Sequence, residues 1–283
     1  MNQVKEYYTM YNGVEIPSIG YGTWRVEEGE LCIHAVKKAI GAGYRHIDTA
    51  AMYGNERSVS LGIEQSMVPR EELFLTSKLD NVDHGYEQTK KAFEKSLERL
   101  QTDYLDLYLI HWPNPVKFRD CWEETTAQSW KAMEELYEAG LIKAIGVSNF
   151  RPHHLDTLMK TAHIKPMVNQ IRLCPGDVHK ETVEYCRKHD ILLEAYSPFG
   201  KGQAFKVEEL HKLVDKYHKS IAQICIRWSL QMGFLPLPKS VTEGRLETNR
   251  QVFDFELEEK DVEMITGLTG CCGLWQDPDQ IVF

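Results

Sequence analysis

The sequence predicts an α/β fold, a (β/α)8 TIM barrel with an N-terminal β-hairpin. Eight short β-rich runs alternate with amphipathic helical segments, and most of these runs are apolar throughout, as strands covered on both faces are. The length of 283 residues fits one barrel of about 250 residues as well as two smaller domains. Because no linker or low-complexity tract interrupts the alternation, residues 1–283 are predicted to form one domain.

The hairpin comes first in the chain. Alternating apolar residues flank Asn12 and Gly13, a dipeptide typical of a tight turn in which both residues have positive φ. The eight barrel strands are then predicted within the runs 19–23, 44–50, 73–79, 104–112, 141–149, 167–171, 191–197 and 234–238.

Helices are predicted between the strands, because there the apolar spacing changes to three or four residues. The sets that show this are Val59, Ile63 and Met67, then Phe93, Leu97 and Leu100, then Trp130, Met133 and Tyr137, and later Ile221, Cys225 and Trp228. The glycines predicted to end helices in a left-handed conformation are Gly41, Gly43 and Gly140.

An open nucleotide-binding sheet is the competing architecture, and it requires a G-x-G-x-x-G turn after its first strand. Gly20 and Gly22 begin such a string, but Arg25 occupies the position of the third glycine. The pair Gly41 and Gly43 comes before a strand instead of after one. Any bound dinucleotide must therefore be held by other means.

Composition excludes several classes of protein. A formal charge of -9 without a block of basic residues argues against nucleic acid or anionic lipid as the main partner. The opening eight residues contain Lys5 and Glu6 and no apolar core, and nowhere do 18 apolar residues run together, which predicts a cytoplasmic protein. Seven cysteines without a CxxC pair predict reduced thiols, with neither a disulfide framework nor a structural zinc.

Four polar side chains fall at or just after the ends of three consecutive predicted strands. Asp48 ends the second strand, Tyr53 follows it in the next loop, Lys78 ends the third strand and His111 ends the fourth. Each has an ordinary structural interpretation, as a helix cap, a rim aromatic, a solvated strand end or a buried histidine. Because barrel active sites lie at the carboxyl ends of the strands, the combination favours a catalytic site.

These residue types suit the reduction of a carbonyl group. A tyrosine whose pKa is near 10 transfers its proton poorly at neutral pH. A nearby lysine, kept charged by a buried aspartate, is expected to lower the pKa of the tyrosine by about 2 to 3 units. A neutral histidine donates a hydrogen bond to the same carbonyl oxygen and orients it.

A metal-dependent hydrolase is an alternative interpretation of the same strand ends. His46, Asp48 and His111 have the chemistry of metal ligands. Lys78 at the same mouth would repel a cation, so the prediction is that no metal binds there.

Five strings, at 46–56, 107–113, 145–150, 195–200 and 238–241, resemble the aldo-keto reductase superfamily in order and spacing, and the compact bacterial-type members above all. The resemblance extends from residue 20 to residue 245. It implies a (β/α)8 barrel that reduces aldehydes and ketones with NADPH. It also implies that Asp48, Tyr53, Lys78 and His111 form a catalytic tetrad in which Tyr53 is the proton donor.

The resemblance further implies that NADPH or NADP+ lies extended over the barrel mouth. In this interpretation Ser148, Asn149 and Gln170 hold the nicotinamide carboxamide and Tyr196 stacks beneath the ring. The loop 197–202 passes over the pyrophosphate, and Lys239, Ser240 and Arg245 bind the 2′-phosphate. The full set of implied cofactor contacts is Gly22, Thr23, Asp48, Ser148, Asn149, Gln170, Tyr196, Ser197, Phe199, Gly200, Lys239, Ser240, Val241, Arg245 and Asn249.

The substrate contacts implied in the same way are Trp24, Tyr53, His111 and Trp112, with Trp275 near the pocket and Trp122 in the loop after the fourth strand. Aromatic walls favour apolar or flat carbonyl compounds, such as dicarbonyls or sugar-derived ketones. Similar compact members are often monomers. An NADPH-binding regulatory subunit with little turnover is the other alternative.

Three positions depart from the family's usual pattern. Arg172 and Cys174 replace an acidic residue and a histidine after the sixth strand, and Thr248 stands where many members have glutamate. The first two either reshape the substrate rim or are neutral changes in packing, and the third predicts a looser adenine contact.

Overall fold

The structure is a computed structural model that describes residues 4–273 and 275–283. Residues 1–3, which belong to the opening eight residues discussed above, and Leu274 lie outside this description. Within these ranges, none of the helices combines the length and apolar character that crossing a bilayer requires.

An antiparallel hairpin precedes the barrel, as predicted. It consists of β1 (Tyr7–Thr9) and β2 (Glu15–Pro17). The predicted turn type is wrong, because Gly13 alone of the dipeptide has a positive φ, of 86°. The backbone N–H of Gly13 and that of Val14 explain this: the first donates to Met10 O over 2.9 Å and the second to the Asn12 side chain over 3.2 Å. The loop is therefore longer, with one left-handed residue at its end.

Eight parallel strands form the barrel in the part of the chain that the structure describes, which confirms the predicted fold. They are β3 (Tyr21–Gly22), β4 (His46–Asp48), β5 (Phe74–Leu79), β6 (Leu107–Ile110), β7 (Ile145–Ser148), β8 (Val168–Arg172), β9 (Leu192–Tyr196) and β10 (Leu235–Leu237). Each strand pairs with the next along the chain. Backbone hydrogen bonds from Gly20 to Pro236 (3.1 Å) and from Gly22 to Pro238 (3.2 Å) bring the first strand against the last.

Helices surround the barrel, and four of them contain the apolar residues on which the helix prediction is based, Met67 excepted, at 59–63, 93–100, 130–137 and 221–228. They are α1 (Glu30–Gly41), α2 (Glu56–Ser66), α3 (Tyr86–Leu100), α4 (Trp122–Glu138), α5 (Pro152–Met159), α6 (Lys180–Lys188), α7 (Glu208–Tyr217), α8 (Ile221–Gln231), α9 (Glu243–Arg250) and α10 (Glu259–Gly267).

Two details of the helix predictions are wrong. Met67 lies beyond the end of α2 with a φ of 59° and is 87% exposed, so it does not belong to the buried face of Val59 and Ile63. Gly43 and Gly140 have the expected positive φ, but Gly41 is the last residue of α1 and does not.

The strands approach so closely at one point that only glycine fits. A Cβ atom added to Gly146 of β7 would lie 2.6 Å from Val168 O and 2.8 Å from a methyl carbon of Leu109. The first neighbour is backbone of the adjacent strand β8, which cannot move without disturbing the ladder. Gly146 therefore fixes the spacing of β7 and β8 just below the mouth, where Ser148 and Gln170 are paired.

We expect Gly146→Ala to lower the free energy of unfolding by about 1–3 kcal/mol, because the added methyl overpacks the strand interface. Urea denaturation measures this. Gly41→Ala is the matched control, since nothing lies within 4 Å of its added Cβ and its φ is not positive. The control should be neutral or slightly stabilising, and equal destabilisation by the two variants would contradict the packing argument.

Candidate active site

The four side chains of the predicted tetrad meet at the carboxyl ends of β4, β5 and β6. Asp48 ends β4, Tyr53 ends the short 3-10 turn that follows, and Lys78 lies in β5. His111 comes directly after β6. The ring centroids of Tyr53 and His111 are 5.6 Å apart, and the ammonium nitrogen of Lys78 lies 5.1 Å from the centroid of the Tyr53 ring.

A buried ion pair lies beneath Tyr53. Lys78 Nζ donates to Asp48 Oδ1 (2.8 Å), Asp48 Oδ2 (2.7 Å) and the carbonyl of Thr49 (2.8 Å). The two side chains are 0% and 5% exposed. An ammonium group has three N–H donors, so all three are used within the pair and the adjoining backbone.

The expected lowering of the Tyr53 pKa is wrong for this arrangement. Burial and the Asp48 carboxylate both hold the pKa of Tyr53 well above its usual value. The physical reason is that Asp48 largely neutralises Lys78, so the tyrosine experiences desolvation without a compensating free cation.

His111 agrees with the predicted neutral form. Burial, together with the positive charge of Lys78 and the neighbouring His84, holds the pKa of His111 well below its usual value. A neutral imidazole has one N–H donor and one acceptor nitrogen. At pH 7 this histidine therefore offers a hydrogen bond without carrying a charge.

The geometry does not support the metal alternative. Asp48 presents both its oxygens to Lys78, and one of them also accepts from Gln170. His46 lies at 3.0 Å from Thr76 Oγ1 inside the barrel, and burial lowers its pKa to about 3. The two carboxylate oxygens that Asp48 would offer a metal cation are both bonded to the ammonium group of Lys78.

A different group of metal-capable side chains lies at the C-terminal tail. His153, His154 and Asp279 bring three ligand atoms within 4.8 Å of one another. However, His154 Nδ1 accepts a hydrogen bond from the backbone N–H of Arg151, so its other nitrogen carries the proton and donates to Asp279 over 2.8 Å. A protonated nitrogen is no metal ligand, and this group instead attaches the tail to α5.

The residues expected to hold a carboxamide form one hydrogen-bonded network. Ser148 Oγ donates to Gln170 O over 2.7 Å, and the Asn149 amide donates to His111 O over 3.0 Å. The Tyr196 hydroxyl donates to Asn149 Oδ1 over 2.8 Å. Asn149 has a φ of 65°, which turns its side chain toward this network. The ends of β7, β8 and β9 thus present amides and hydroxyls in one place.

Sequence reasoning missed one residue of this network, Glu194. The Gln170 side-chain nitrogen donates to Glu194 Oε2 over 2.7 Å and to Asp48 Oδ2 over 2.8 Å. Glu194 is fully buried, and this burial, with the nearby Asp48 carboxylate, raises its pKa to about 8. The available signal was a single acidic residue within the otherwise uncharged run 191–197.

The loop 197–202 has the backbone and the electrostatics of an anion site. Ser197, Gly200, Lys201 and Gly202 all have positive φ, between 51° and 92°. Such turns direct successive backbone N–H groups to one side. Burial and the positive charges of Arg172 and Arg25 lower the pKa of Lys201. Three cations therefore act on this loop, which is the environment that a pyrophosphate requires.

The neighbouring predicted contacts lie around this loop and on β3. Trp24 is 39% exposed, and its ring lies 4.5 Å from the Arg25 guanidinium and 5.4 Å from Lys201 Nζ. Phe199 is half-buried against Phe205. Gly22 pairs with Asp48, and the buried Thr23 hydroxyl donates to Asp48 O over 3.0 Å. Thr23 therefore supports the backbone at the end of β4.

The predicted 2′-phosphate residues lie between β10 and the first turns of α9. Lys239, Val241 and Arg245 are exposed, and Ser240 O accepts a hydrogen bond from Tyr21. The neighbouring Asn249 is buried. The Thr248 hydroxyl donates to Gly244 O over 2.5 Å, inside its own helix. The Thr248 side chain is therefore bonded to the backbone of its own helix.

Arg172 and Cys174, which depart from the family's pattern, both contact the C-terminal tail, residues 270–283. Arg172 is buried, donates a hydrogen bond to the carbonyl of Cys272 and lies 3.3 Å from Asp177. Cys174 is buried, and the hydrogen bond from Cys272 lowers its pKa. These contacts join the end of β8 and the turn after it to residues of the tail.

The tryptophans near the mouth have separate positions. Trp112 is buried and packs edge-on against Phe283, at 5.4 Å between centroids. Trp275 lies 4.9 Å from His179. Trp122 begins α4 and contacts His154 at 5.0 Å, so it belongs to the helix layer instead of the preceding loop.

A closed parallel barrel with a polar cluster at the carboxyl ends of its strands defines a protein of the barrel-enzyme class. The chain belongs to the Aldo/keto reductase family, whose sequence pattern matches residues 18–269. It is 49% identical over 280 residues to glyoxal reductase of Bacillus subtilis, covering 99% of each chain. It is 46% identical over 274 residues to 9,11-endoperoxide prostaglandin H2 reductase of Trypanosoma cruzi, covering 96% of this chain and 94% of the relative.

Solved structures agree with this membership. An aldo-keto reductase from a Medee basin deep-sea metagenome library superimposes with a TM-score of 0.91 at 41% identity, over 98% of this chain and 100% of that chain. The Bombyx mori aldo-keto reductase in complex with NADP superimposes with a TM-score of 0.84 at 35% identity, over 94% and 93%.

We expect Lys78→Met to lower the free energy of unfolding by roughly 3–5 kcal/mol, because it leaves the Asp48 carboxylate buried without its partner. The measurement is urea denaturation at pH 7. Lys38→Met is the matched control, since the Lys38–Glu243 pair is 48% and 58% exposed. The control should change stability by less than about 1 kcal/mol. If Lys78→Met is as mild as the control, the ion pair does not hold the mouth together.

Proposed function

We propose that this protein reduces small aldehydes and ketones to alcohols with NADPH as the hydride donor. The observation that carries the proposal is the convergence of Tyr53, His111 and the Lys78–Asp48 pair at one mouth, beside the network of Ser148, Asn149 and Gln170. Together these provide a proton donor, an orienting donor and a set of amide contacts, which carbonyl reduction needs.

The residues present fit the proposed cofactor. The left-handed turns of loop 197–202 and the cations Arg25 and Lys201 suit a pyrophosphate. Lys239, Ser240 and Arg245 would hold a 2′-phosphate, for which two cations and a hydroxyl are suitable partners. Ser148, Asn149 and Gln170 would hold the carboxamide. The bound cofactor would supply a hydride to the carbonyl carbon.

Tyr53 provides the proton. Since its pKa lies well above the usual value, the phenol is fully protonated at neutral pH and the proton is held at Oη. His111, neutral for the reasons given above, donates a hydrogen bond to the substrate oxygen and so polarises the carbonyl.

Lys78 acts when Tyr53 loses its proton. The developing phenolate attracts the ammonium group, which must exchange one of its three present hydrogen bonds for one to the tyrosine oxygen. Asp48 remains beside the ammonium group throughout. Catalysis in this scheme is therefore a redistribution of hydrogen bonds around one buried cation.

For the substrate we propose small α-dicarbonyl compounds such as glyoxal. The relative from Bacillus subtilis that bears this name is 49% identical over 99% of both chains. Trp24 and Trp112, with Phe283 of the tail, supply flat apolar surface beside the polar pair Tyr53 and His111. A small, flat molecule with an exposed carbonyl oxygen matches that combination.

Tyr53→Phe should reduce kcat for glyoxal by roughly 10²- to 10⁴-fold, because it removes the proton donor. NADPH binding should stay nearly unchanged. The assay is the loss of NADPH absorbance, with cofactor affinity followed by protein fluorescence. Tyr104→Phe is the control, since Tyr104 precedes β6 at the opposite end of the barrel and should retain full activity.

The outcomes separate the two functional alternatives. Tight NADPH binding by the wild type, without turnover of aldehydes or diketones, would contradict the reductase and favour a regulatory NADPH-binding protein. Full activity in Tyr53→Phe would remove the proposed role of this phenol.

Arg245→Leu should raise the KM for NADPH by roughly 10- to 100-fold, since a hydrogen bond to a charged group contributes about 1.5–3 kcal/mol. The KM for NADH should change little, because NADH has no 2′-phosphate. Arg250→Leu, at the end of the same helix α9, is the control. An equal rise for both cofactors would show that Arg245 does not read the phosphate.

A further inference from the structure

We propose that Glu194 is a positioning residue that fixes the side-chain amide of Gln170, so that the carbonyl oxygen of this amide faces the nicotinamide carboxamide. The inference rests on the proposed binding of NADPH and deepens it. Glu194 does not touch the cofactor in this scheme and acts through Gln170.

The orientation of Gln170 follows from its two acceptors. Its Nε2 atom donates to Asp48 Oδ2 over 2.8 Å on one side and to Glu194 Oε2 over 2.7 Å on the other. A primary amide has two N–H donors and one carbonyl oxygen. Both N–H groups are thereby used, and the remaining polar atom, Oε1, is the one left for a ligand.

Strand register places these groups together. Gln170 of β8 pairs directly with Glu194 of β9 on one side and with Ser148 of β7 on the other. Neighbouring residues in register point to the same face of a sheet, which here is the barrel interior. The Gln170 amide therefore connects Glu194 of the neighbouring strand β9 to Asp48 of β4.

An apolar residue at position 194 would stabilise the fold more than a carboxyl group does. Glu194 is fully buried, and a buried carboxyl costs free energy that a leucine in the same strand would not cost. Burial raises the pKa of Glu194 to about 8, so it is mainly protonated at neutral pH. The neutral acid still has a carbonyl oxygen that accepts from Gln170.

Other titratable groups around Glu194 are consistent with this. Asp48 of β4 and Lys78 of β5 form their own pair, and His46 of β4 approaches Glu194 Oε1 at 3.8 Å. His46 is itself neutral because of burial. A flipped Gln170 amide would turn its carbonyl oxygen toward the Asp48 carboxylate, which repels it. With Glu194 in place, both N–H groups of the Gln170 amide have an acceptor in the observed orientation.

In this scheme the orientation of Gln170 determines whether the protein recognises the NH2 group of the nicotinamide carboxamide. The NH2 group of a nicotinamide carboxamide is a donor and needs an acceptor. Gln170 Oε1 provides one only while the amide is held in the observed orientation. Removing Glu194 leaves the amide held by its bond to Asp48 alone, so the amide can swing about that bond. Recognition of that NH2 group should then weaken, while the rest of the cofactor site is unaffected.

The test compares NADPH with its reduced 3-acetylpyridine analogue, in which a methyl group replaces the NH2. Glu194→Leu removes the acceptor, and Glu194→Gln is the matched control that retains one. Binding is measured by quenching of protein fluorescence. We expect Glu194→Leu to raise the Kd of NADPH roughly three- to ten-fold, as for the loss of one neutral hydrogen bond. The Kd of the analogue should change less than about two-fold, and Glu194→Gln should bind both as the wild type does.

Two results with the Glu194→Leu variant would overturn the inference without contradicting the proposed binding of NADPH by the wild type. One is an unchanged Kd for NADPH in Glu194→Leu. The other is an equal loss for NADPH and the analogue, which indicates general damage to the site. Failure of the wild type to bind NADPH would overturn the proposed function as well, so the two failures are distinguishable. If Glu194→Leu does not fold, Glu194→Val replaces it, because a β-branched residue suits a buried strand.

Discussion

The ion pair between Lys78 and Asp48 is the interaction on which the rest of the mouth depends. Placing two charges where they are 0% and 5% exposed is costly, and the cost is offset only by close and complete pairing. The pair achieves this with two bonds between the side chains and one to Thr49. It joins β4 to β5, and through Gln170 it reaches β8 and β9 on the far side of the barrel.

The same pairing explains why the phenol is not acidified in this state. A lysine that already satisfies three acceptors contributes little field to Tyr53, whereas Asp48 and burial both favour the protonated phenol. From the sequence, Asp48 is expected only to keep Lys78 charged, whereas its carboxylate also offsets the effect of that charge on Tyr53. Net charge of the neighbouring group, and not its identity alone, sets the direction of the pKa change.

Much of the architecture could be predicted because it depends on local pattern. Alternation of strands and helices located all eight barrel strands, and the strand ends then brought Asp48, Lys78 and His111 to one mouth. What could not be predicted depends on contacts between distant parts of the chain. Glu194, for example, belongs to the site because Gln170, on another strand, donates hydrogen bonds both to it and to Asp48. Met67 follows the helical spacing, yet it is exposed because α2 has already ended.

The tail illustrates how a departure from a family pattern can be understood only through its contacts. Arg172, at the end of β8, binds the carbonyl of Cys272, while Asp279 binds His154 and Phe283 packs on Trp112. These three attachments hold the tail against β8, α5 and the loop after β6. Phe283 packs on Trp112, the residue that follows His111 in the chain, so a C-terminal residue lies against the loop after β6. Arg172 therefore joins the end of β8 to the tail backbone at Cys272, and its effect on the tail is exerted through this buried contact.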